Sequence, residues 1–215
     1  MHGSPLPAFD LHCPLMSLPL ALGTDSDSIP AAVPYLHIPE DARQKAQEYA
    51  WPADGLRVGI SWAGNAKNPN DKFRSIPFDR FLPFFDGKGV NFFSLQIGDA
   101  VEQMKQAQAP VVDLAPLTAD MADTAAFLAH LDLVITIDTS IAHLAGALAK
   151  PVWILLPANA DWRWMEERED SPWYPTARLF RQRELDNWKD PLDRVRTCLG
   201  TLLPPPRESV FASTV

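Results

Sequence analysis

LDLVITIDTSIAHLAGALAKPVWILLP, residues 131–157, reads as strand, tight loop, short helix and second strand. Leu133-Val134-Ile135-Thr136-Ile137 is a short, mostly β-branched apolar run, the pattern of a strand covered on both faces. Asp138-Thr139-Ser140 follows at once, and all three residue types cap helices. Ile141, Leu144, Ala145 and Leu148 then recur at helical spacing. Lys150-Pro151 closes that helix with a cation in its last turn and a residue that cannot continue it. Val152-Trp153-Ile154-Leu155-Leu156 is a second buried strand. Two parallel strands joined by a crossover helix form the basic α/β unit. The unpaired N–H groups at the start of its helix lie just beyond a strand's carboxyl end, where open α/β sheets bind ligands and where anions are favoured.

Working outward, the same alternation continues. Residues 57–62 (RVGISW) form a first strand running into the small-residue loop Ala63-Gly64-Asn65. Residues 65–75 (NAKNPNDKFRS) are a polar, basic loop with few structural commitments. Residues 78–85 form a short helix behind Pro77. Residues 90–96 (VNFFSLQ) are a second strand, 99–108 a helix and 111–114 a third strand. Residues 120–130 (DMADTAAFLAH) are a helix that can turn Met121, Ala125, Leu128 and Ala129 to the sheet. Residues 178–182 form a final edge strand. Residues 191–203 form an amphipathic helix with Leu192, Val195, Leu199 and Leu202 on one side. This order predicts an α/β fold with a doubly wound, mostly parallel, Rossmann-like sheet.

The flanks differ. Residues 1–39 hold prolines at 5, 7, 14, 19, 30, 34 and 39, which excludes a long helix or central strand. Leucines 11, 15, 18, 20 and 22 make this an extended segment suited to lying on another surface. Residues 40–50 form a helix stopped by Trp51-Pro52, so the compact domain is expected over 40–203 and a disordered tail over 204–215. Asp25-Ser26-Asp27 has the look of a metal–diphosphate carboxylate pair, but no strand precedes it and an ordinary turn is the better reading.

The 215 residues suffice for one well-buried domain, and 47% hydrophobic content is that of a globular chain. A net charge of −8 argues against broad nucleic-acid binding or an anionic membrane surface, yet leaves room for a local anion site. Cys13 and Cys198, the two cysteines, have no metal spacing and suit a reducing compartment. With no secretion signal and no apolar run of membrane-spanning length, a soluble, cytoplasmic protein is expected.

Two strand ends carry small polar loops, Ser61 to Asn65 and Asp138 to Ser140. In a parallel sheet both lie on one edge. They can grip a diphosphate through backbone N–H groups and hydroxyls, with Gly64 allowing close approach and Arg74, Lys67 or Lys72 adding charge. The competing reading is plain capping and turn chemistry. No Walker loop and no GxGxxG fingerprint is present. His143, in the first helical turn, is useful there as a neutral donor or against an anion; otherwise it is a half-buried helix residue. Asp138 can accept from a sugar or ribose hydroxyl, or cap the helix. Asp123 and Thr124 polarise or cap the preceding helix. Gln96 ends a strand and can read a base edge or hydroxyl. The Trp162–Trp173 cluster can stack on a ligand, though packing a loop with Arg163 stacked on an indole is the commoner use. No nucleophilic triad, metal-ligand group or close carboxylate pair is seen.

These pieces together carry a resemblance. Residues 135–157, with VGISWAGN (58–65), NDKFRSIP (70–77), FFSLQIG (92–98), DTAAFLAHLDLVIT (123–136), DWRW (161–164) and DSPWYPTARLFRQ (170–182), resemble family 9 glycosyltransferases, the ADP-heptose:lipopolysaccharide heptosyltransferase group. The closer resemblance is to the glycosyltransferase-like domain at the C-terminus of many bacterial tetratricopeptide-repeat proteins. Residues 9–24 resemble that group's junction between domains. The resemblance implies the C-terminal, donor-binding half of a two-domain GT-B fold. It implies a nucleotide-sugar donor, no cofactor and no metal. Ser61, Gly64 and Asn65 would line the diphosphate; Asp138, Thr139, Ser140 and His143 would meet phosphates and sugar; Gln96, Asp123 and Thr124 would lie near base and ribose. It also implies that an N-terminal acceptor domain, absent from this chain except for residues 9–39, completes the enzyme. The rival expectations are a non-catalytic interaction domain built on the same fold, and another α/β nucleotide-binding enzyme such as an epimerase.

Overall fold

Six short runs become strands: β1 (Leu56–Ser61), β2 (Val90–Ser94), β3 (Val111–Asp113), β4 (Leu133–Ile137), β5 (Val152–Leu156) and β6 (Ala177–Arg181). All pair in parallel, in the order β3-β2-β1-β4-β5-β6. This is the doubly wound sheet expected. The computed structural model describes residues 8–203; the expected tail at 204–215 lies outside them.

Every residue of β4 and β5 is buried. Successive side chains alternate between two cores, one on each face of the sheet. Val134, Ile154 and Phe93 point into the first, with helices α2 (Glu40–Gln47), α5 (Met121–Ala129) and α6 (Ser140–Ala147). Ile60, Ile135 and Leu155 point into the second. There they meet the 3-10 turn Phe78–Phe84, α4 (Val101–Gln106) and α7 (Lys189–Leu202). A strand covered on both faces has no polar face to show, so its sequence reads as one apolar run.

Several local expectations are corrected. α5 buries Ala125, Ala126, Phe127 and Leu128, while Met121 is 49% exposed. The neighbour α2 packs on α5, so burial covers more than one narrow stripe. On α7, Leu192, Val195 and Leu199 are buried but Leu202 is exposed, because the helix runs past the sheet. α2 stops at Gln47, before Trp51, whose indole N–H folds back onto the Ala46 carbonyl at 2.9 Å.

Residues 15–21 are not extended. They form a 3-10 turn at Leu15–Ser17 and α1 (Leu18–Ala21), with Pro19 in the first turn, where proline is tolerated. Leu11 (90%) and Leu20 (88%) stand almost wholly in solvent. The segment meets the domain further on: Val33 and Ile38 pack on the first core, and the Tyr35 amide donates to the Ala147 carbonyl at 3.1 Å. Asp25-Ser26-Asp27 is a turn, as expected: Asp25 Oδ1 accepts from the Ser28 amide and hydroxyl at 2.9 and 2.8 Å.

Candidate functional site: the crevice between β1 and β4

The strand order reverses direction between β1 and β4, which are hydrogen-bonded neighbours with Ser61 opposite Thr136. Their carboxyl ends therefore deliver the two polar loops side by side, at the topological switch point where open α/β sheets hold ligands.

The loop after β1 is built from within. Trp62 is fully buried, its ring 4.6 Å from that of Phe78. Gln96 is 2% exposed, and its carbonyl oxygen accepts from Ser61 Oγ, the Trp62 amide and the Ala63 amide at 3.2, 3.0 and 2.9 Å. Its amide nitrogen donates to the Ala63 and Ile97 carbonyls, both at 3.0 Å. Gln96 thus clamps the loop, and its polar atoms are engaged inside the protein and not at a base edge. Ser61, also 2% exposed, belongs to that clamp.

The stretch 65–75, expected to have few commitments, has many. α3 (Asp71–Arg74) places Asp71 and Arg74 three residues apart, in an ion pair of 3.1 Å. Asp71 Oδ2 accepts from Ser75 Oγ at 2.7 Å, and Ser75 Oγ accepts from the Gly64 amide at 3.0 Å. A Cβ at Gly64 would collide with the ends of the Asp71 and Arg74 side chains, so any larger residue here would displace that ion pair. Arg74 Nη1 then donates to the Asp138 carbonyl at 2.8 Å. One half-buried cation thereby ties the β1 loop to the β4 loop. Asp71 and Ser75 are the residues the sequence reading missed; their i, i+3, i+4 spacing with Arg74 was the available signal. Asn65 is exposed, its Oδ1 accepting from the Lys67 amide at 3.0 Å.

The loop after β4 leads straight into α6. Thr139 is the N-cap in extended conformation, yet no side chain closes the helix start. The Thr139 hydroxyl lies 3.4 Å from that of Thr136 instead. Ser140 is exposed at the first helical position. An uncapped helix N-terminus leaves backbone donors pointing out, with the positive end of the helix dipole behind them.

His143 lies one turn in. Its Nε2 is 3.8 Å from Asp138 Oδ1, its Nδ1 3.0 Å from the Tyr174 hydroxyl, and its ring stacks on Trp164 at 5.3 Å. Burial pushes its pKa below the ordinary 6.5, against a smaller upward pull from Asp138. Arg163 also lowers it. The imidazole is therefore neutral at pH 7. Burial holds the Tyr174 phenol protonated well above its usual range. His143, Arg163, Trp164, Trp173 and Tyr174 line a cavity of about 140 Å³. Arg163 stacks on Trp162 at 5.0 Å and pairs with Asp161 at 2.7 Å, while Trp173 donates to the Arg163 carbonyl at 3.0 Å. The tryptophan cluster thus packs its own loop, with Arg163 on an indole as expected, and also walls one side of the site.

The hydrogen bonds of Asp123 and Thr124 go to neither loop. Asp123 accepts from Lys45 Nζ at 2.6 Å and from the Ala119 amide at 2.9 Å, and Thr124 Oγ1 donates to the Asp120 carbonyl at 2.8 Å. A larger groove of about 490 Å³ lies between β6 and α7. Its guanidinium groups are neutralised locally, Arg178 by Glu169 at 3.2 Å and Arg194 by Asp190 at 3.0 Å, and none of the sequence candidates lines it. Among the described residues no three His, Cys, Asp or Glu side chains gather as metal ligands, and no helix is long and apolar enough to cross a membrane.

An all-parallel, doubly wound sheet opening at a central crevice defines a Rossmann-like α/β domain. Comparison with known proteins places it further. Residues 96–183 match the family model of glycosyltransferase family 9 (heptosyltransferase). The fold matches Escherichia coli ADP-heptose lps heptosyltransferase II, with a TM-score of 0.59 and 17% identity over 80% of this chain and 54% of that one. It also matches a family 9 glycosyl transferase from Veillonella parvula DSM 2008, with a TM-score of 0.62 and 17% identity over 87% of this chain and 58% of that one. Escherichia coli heptosyltransferase WaaC with ADP-2-deoxy-2-fluoro heptose matches at a TM-score of 0.54 and 15% identity, over 83% of this chain and 53% of that one. Protein FlbA of Caulobacter vibrioides is 32% identical over 151 residues, 67% of this chain and 25% of FlbA. The chain thus spans a quarter of that curated relative and little more than half of the solved heptosyltransferases.

Proposed function

We propose that this chain is the donor-binding half of a glycosyltransferase and takes a nucleotide-diphosphate sugar at the β1/β4 crevice. The observation that carries the reading is the uncapped start of α6, set beside the β1 loop and joined to it by Arg74. The helix N-terminus supplies positive potential for a diphosphate, and Arg74, paired with Asp71, holds the two loops together around it. Gly64, Asn65, Thr139 and Ser140 border the same opening, and Asp138 with neutral His143 faces the sugar side. The Ser61–Gln96 pair acts from beneath by shaping the loop. In transfer, an acceptor hydroxyl attacks the anomeric carbon, and the donors at α6 stabilise the departing diphosphate without a resident metal or cofactor. The sugar binding of the heptosyltransferases with the same fold supports this, the WaaC structure being with an ADP-sugar analogue.

The acceptor and the catalytic base come, in this proposal, from a second domain. The exposed leucines of residues 11–22 support that part of it, since large apolar side chains in solvent mark a surface meant to be covered. The same leucines favour a second reading, a non-catalytic docking domain on the old fold. Calorimetry of the folded chain with ADP, GDP, UDP and their sugars separates the two. Binding of at least one, lost on Arg74→Ala, is expected; no heat from any of them would sink the donor-site reading and leave the docking one.

A further inference from the structure

The mechanism above uses His143 but leaves unexplained what sets the direction of its donor. Its two ring nitrogens face different partners. Nε2 lies 3.8 Å from the Asp138 carboxylate, at the opening between the loops, and Nδ1 lies 3.0 Å from the Tyr174 hydroxyl, inside. A neutral imidazole carries one proton, and the nitrogen that keeps it is chosen by what each faces. A carboxylate only accepts. A phenol that stays protonated can donate.

We propose that Tyr174 is a positioning residue that donates to His143 Nδ1 and so holds His143 as an Nε2–H donor aimed at the crevice. The Tyr174 proton goes to His143 Nδ1, leaving Nε2–H for Asp138 or for an anionic oxygen of a bound ligand. Two features build this device. The His143 ring is fixed against Trp164, with planes 17° apart. Tyr174 is 9% exposed and lies against the backbone of α6, a position that requires Gly146, since a Cβ there would collide with the phenol ring. The other charged groups facing the imidazole are Arg163 and Asp161, which pair with each other at 2.7 Å.

The role toward a diphosphate sugar rests on the function proposed above, but the hydrogen-bond chain can be read without any ligand. Long-range ¹⁵N–¹H spectra of the full chain should show His143 protonated at Nε2, with Nδ1 an unprotonated, hydrogen-bonded acceptor. Tyr174→Phe should move the Nδ1 resonance downfield to that of a nitrogen without a donor. The variant keeps the ring and its packing, and circular dichroism checks the fold. In calorimetry with the nucleoside diphosphate that binds, Tyr174→Phe should weaken affinity about three- to ten-fold, the worth of one hydrogen bond. A proton on Nδ1 in the parent chain, or an Nδ1 resonance unmoved by Tyr174→Phe, overturns the inference even if nucleotides bind. If no nucleotide binds, the spectra still decide the chain, and only the donor-site reading falls.

Discussion

Two helices begin at the carboxyl edge of the same sheet, and they begin differently. α5 is closed: the Asp120 side chain accepts from the Ala122 and Asp123 amides, both at 2.9 Å, and Asp123 reaches back to the Ala119 amide. α6 is open, with Thr139 in the cap position and no side-chain bond to the amides. A closed terminus has spent its donors on its own chain and gained stability. An open one has kept them for something else. The difference shows where this sheet holds donors in reserve, and it follows from the local chain and not from the helix dipole, which both helices possess.

Proline at the first helical position tests the contrast most directly. It removes one N–H while fitting the helix, and Thr139 and Asp120 are both already extended, as a residue before proline prefers. Ser140→Pro should cost nucleotide affinity about ten-fold or more, as for a lost hydrogen bond to a charged group, with little change in thermal stability. Met121→Pro, its counterpart in α5, should leave affinity unchanged. Equal losses in isothermal titrations of the two variants would abolish the distinction.

The caps themselves give the next largest effect. Asp120→Ala should lower unfolding free energy by about 1 kcal/mol in urea denaturation, since two amides lose their acceptor. Thr139→Ala should cost less than about 0.5 kcal/mol, because no cap bond is lost. The reverse ranking would mean that α6 is the capped helix.

The smallest effect is a pH dependence. His143 and His130 both have folded pKa values held below 6.5, chiefly by burial. The unfolded chain then binds more protons, so stability is full above the unfolded value and declines as pH falls below about 6.5 towards each folded pKa. His143→Gln should flatten part of that decline in melting curves taken across this range, leaving the part due to His130, which stacks on Trp51. An unchanged slope would show that His143 does not titrate as a buried group.

How far the site was readable depended on whether its residues speak through local pattern. The strand–loop–helix–strand of residues 131–157 was legible because buried parallel strands and helix starts leave marks within a few residues. The resemblance to family 9 extended this over several motifs, and residues 96–183 match that family. The 65–75 stretch was not legible as structure, because its order comes from Asp71, Arg74 and Ser75 acting together on the loop at Gly64 and, through Arg74, on Asp138, a partner distant in sequence. Gln96 looked available for a ligand because a strand-ending amide gives no hint that five contacts will use it. Tyr174 was visible only as part of an aromatic cluster; its hydroxyl acquires a task when α6 brings His143 to within 3.0 Å.

The sequence by itself determined the α/β alternation, the small polar loops at two strand ends and the apolar N-terminal segment, since each follows from periodicity, capping chemistry or composition over a short window. Only the tertiary structure decided that β1 lies beside β4, that Arg74 bridges their loops, and that α6 begins open while α5 begins closed. Strand order and side-chain pairing are long-range choices. They are set by which buried faces and hydrogen-bond partners can be satisfied together, and no local stretch of this chain contains that information.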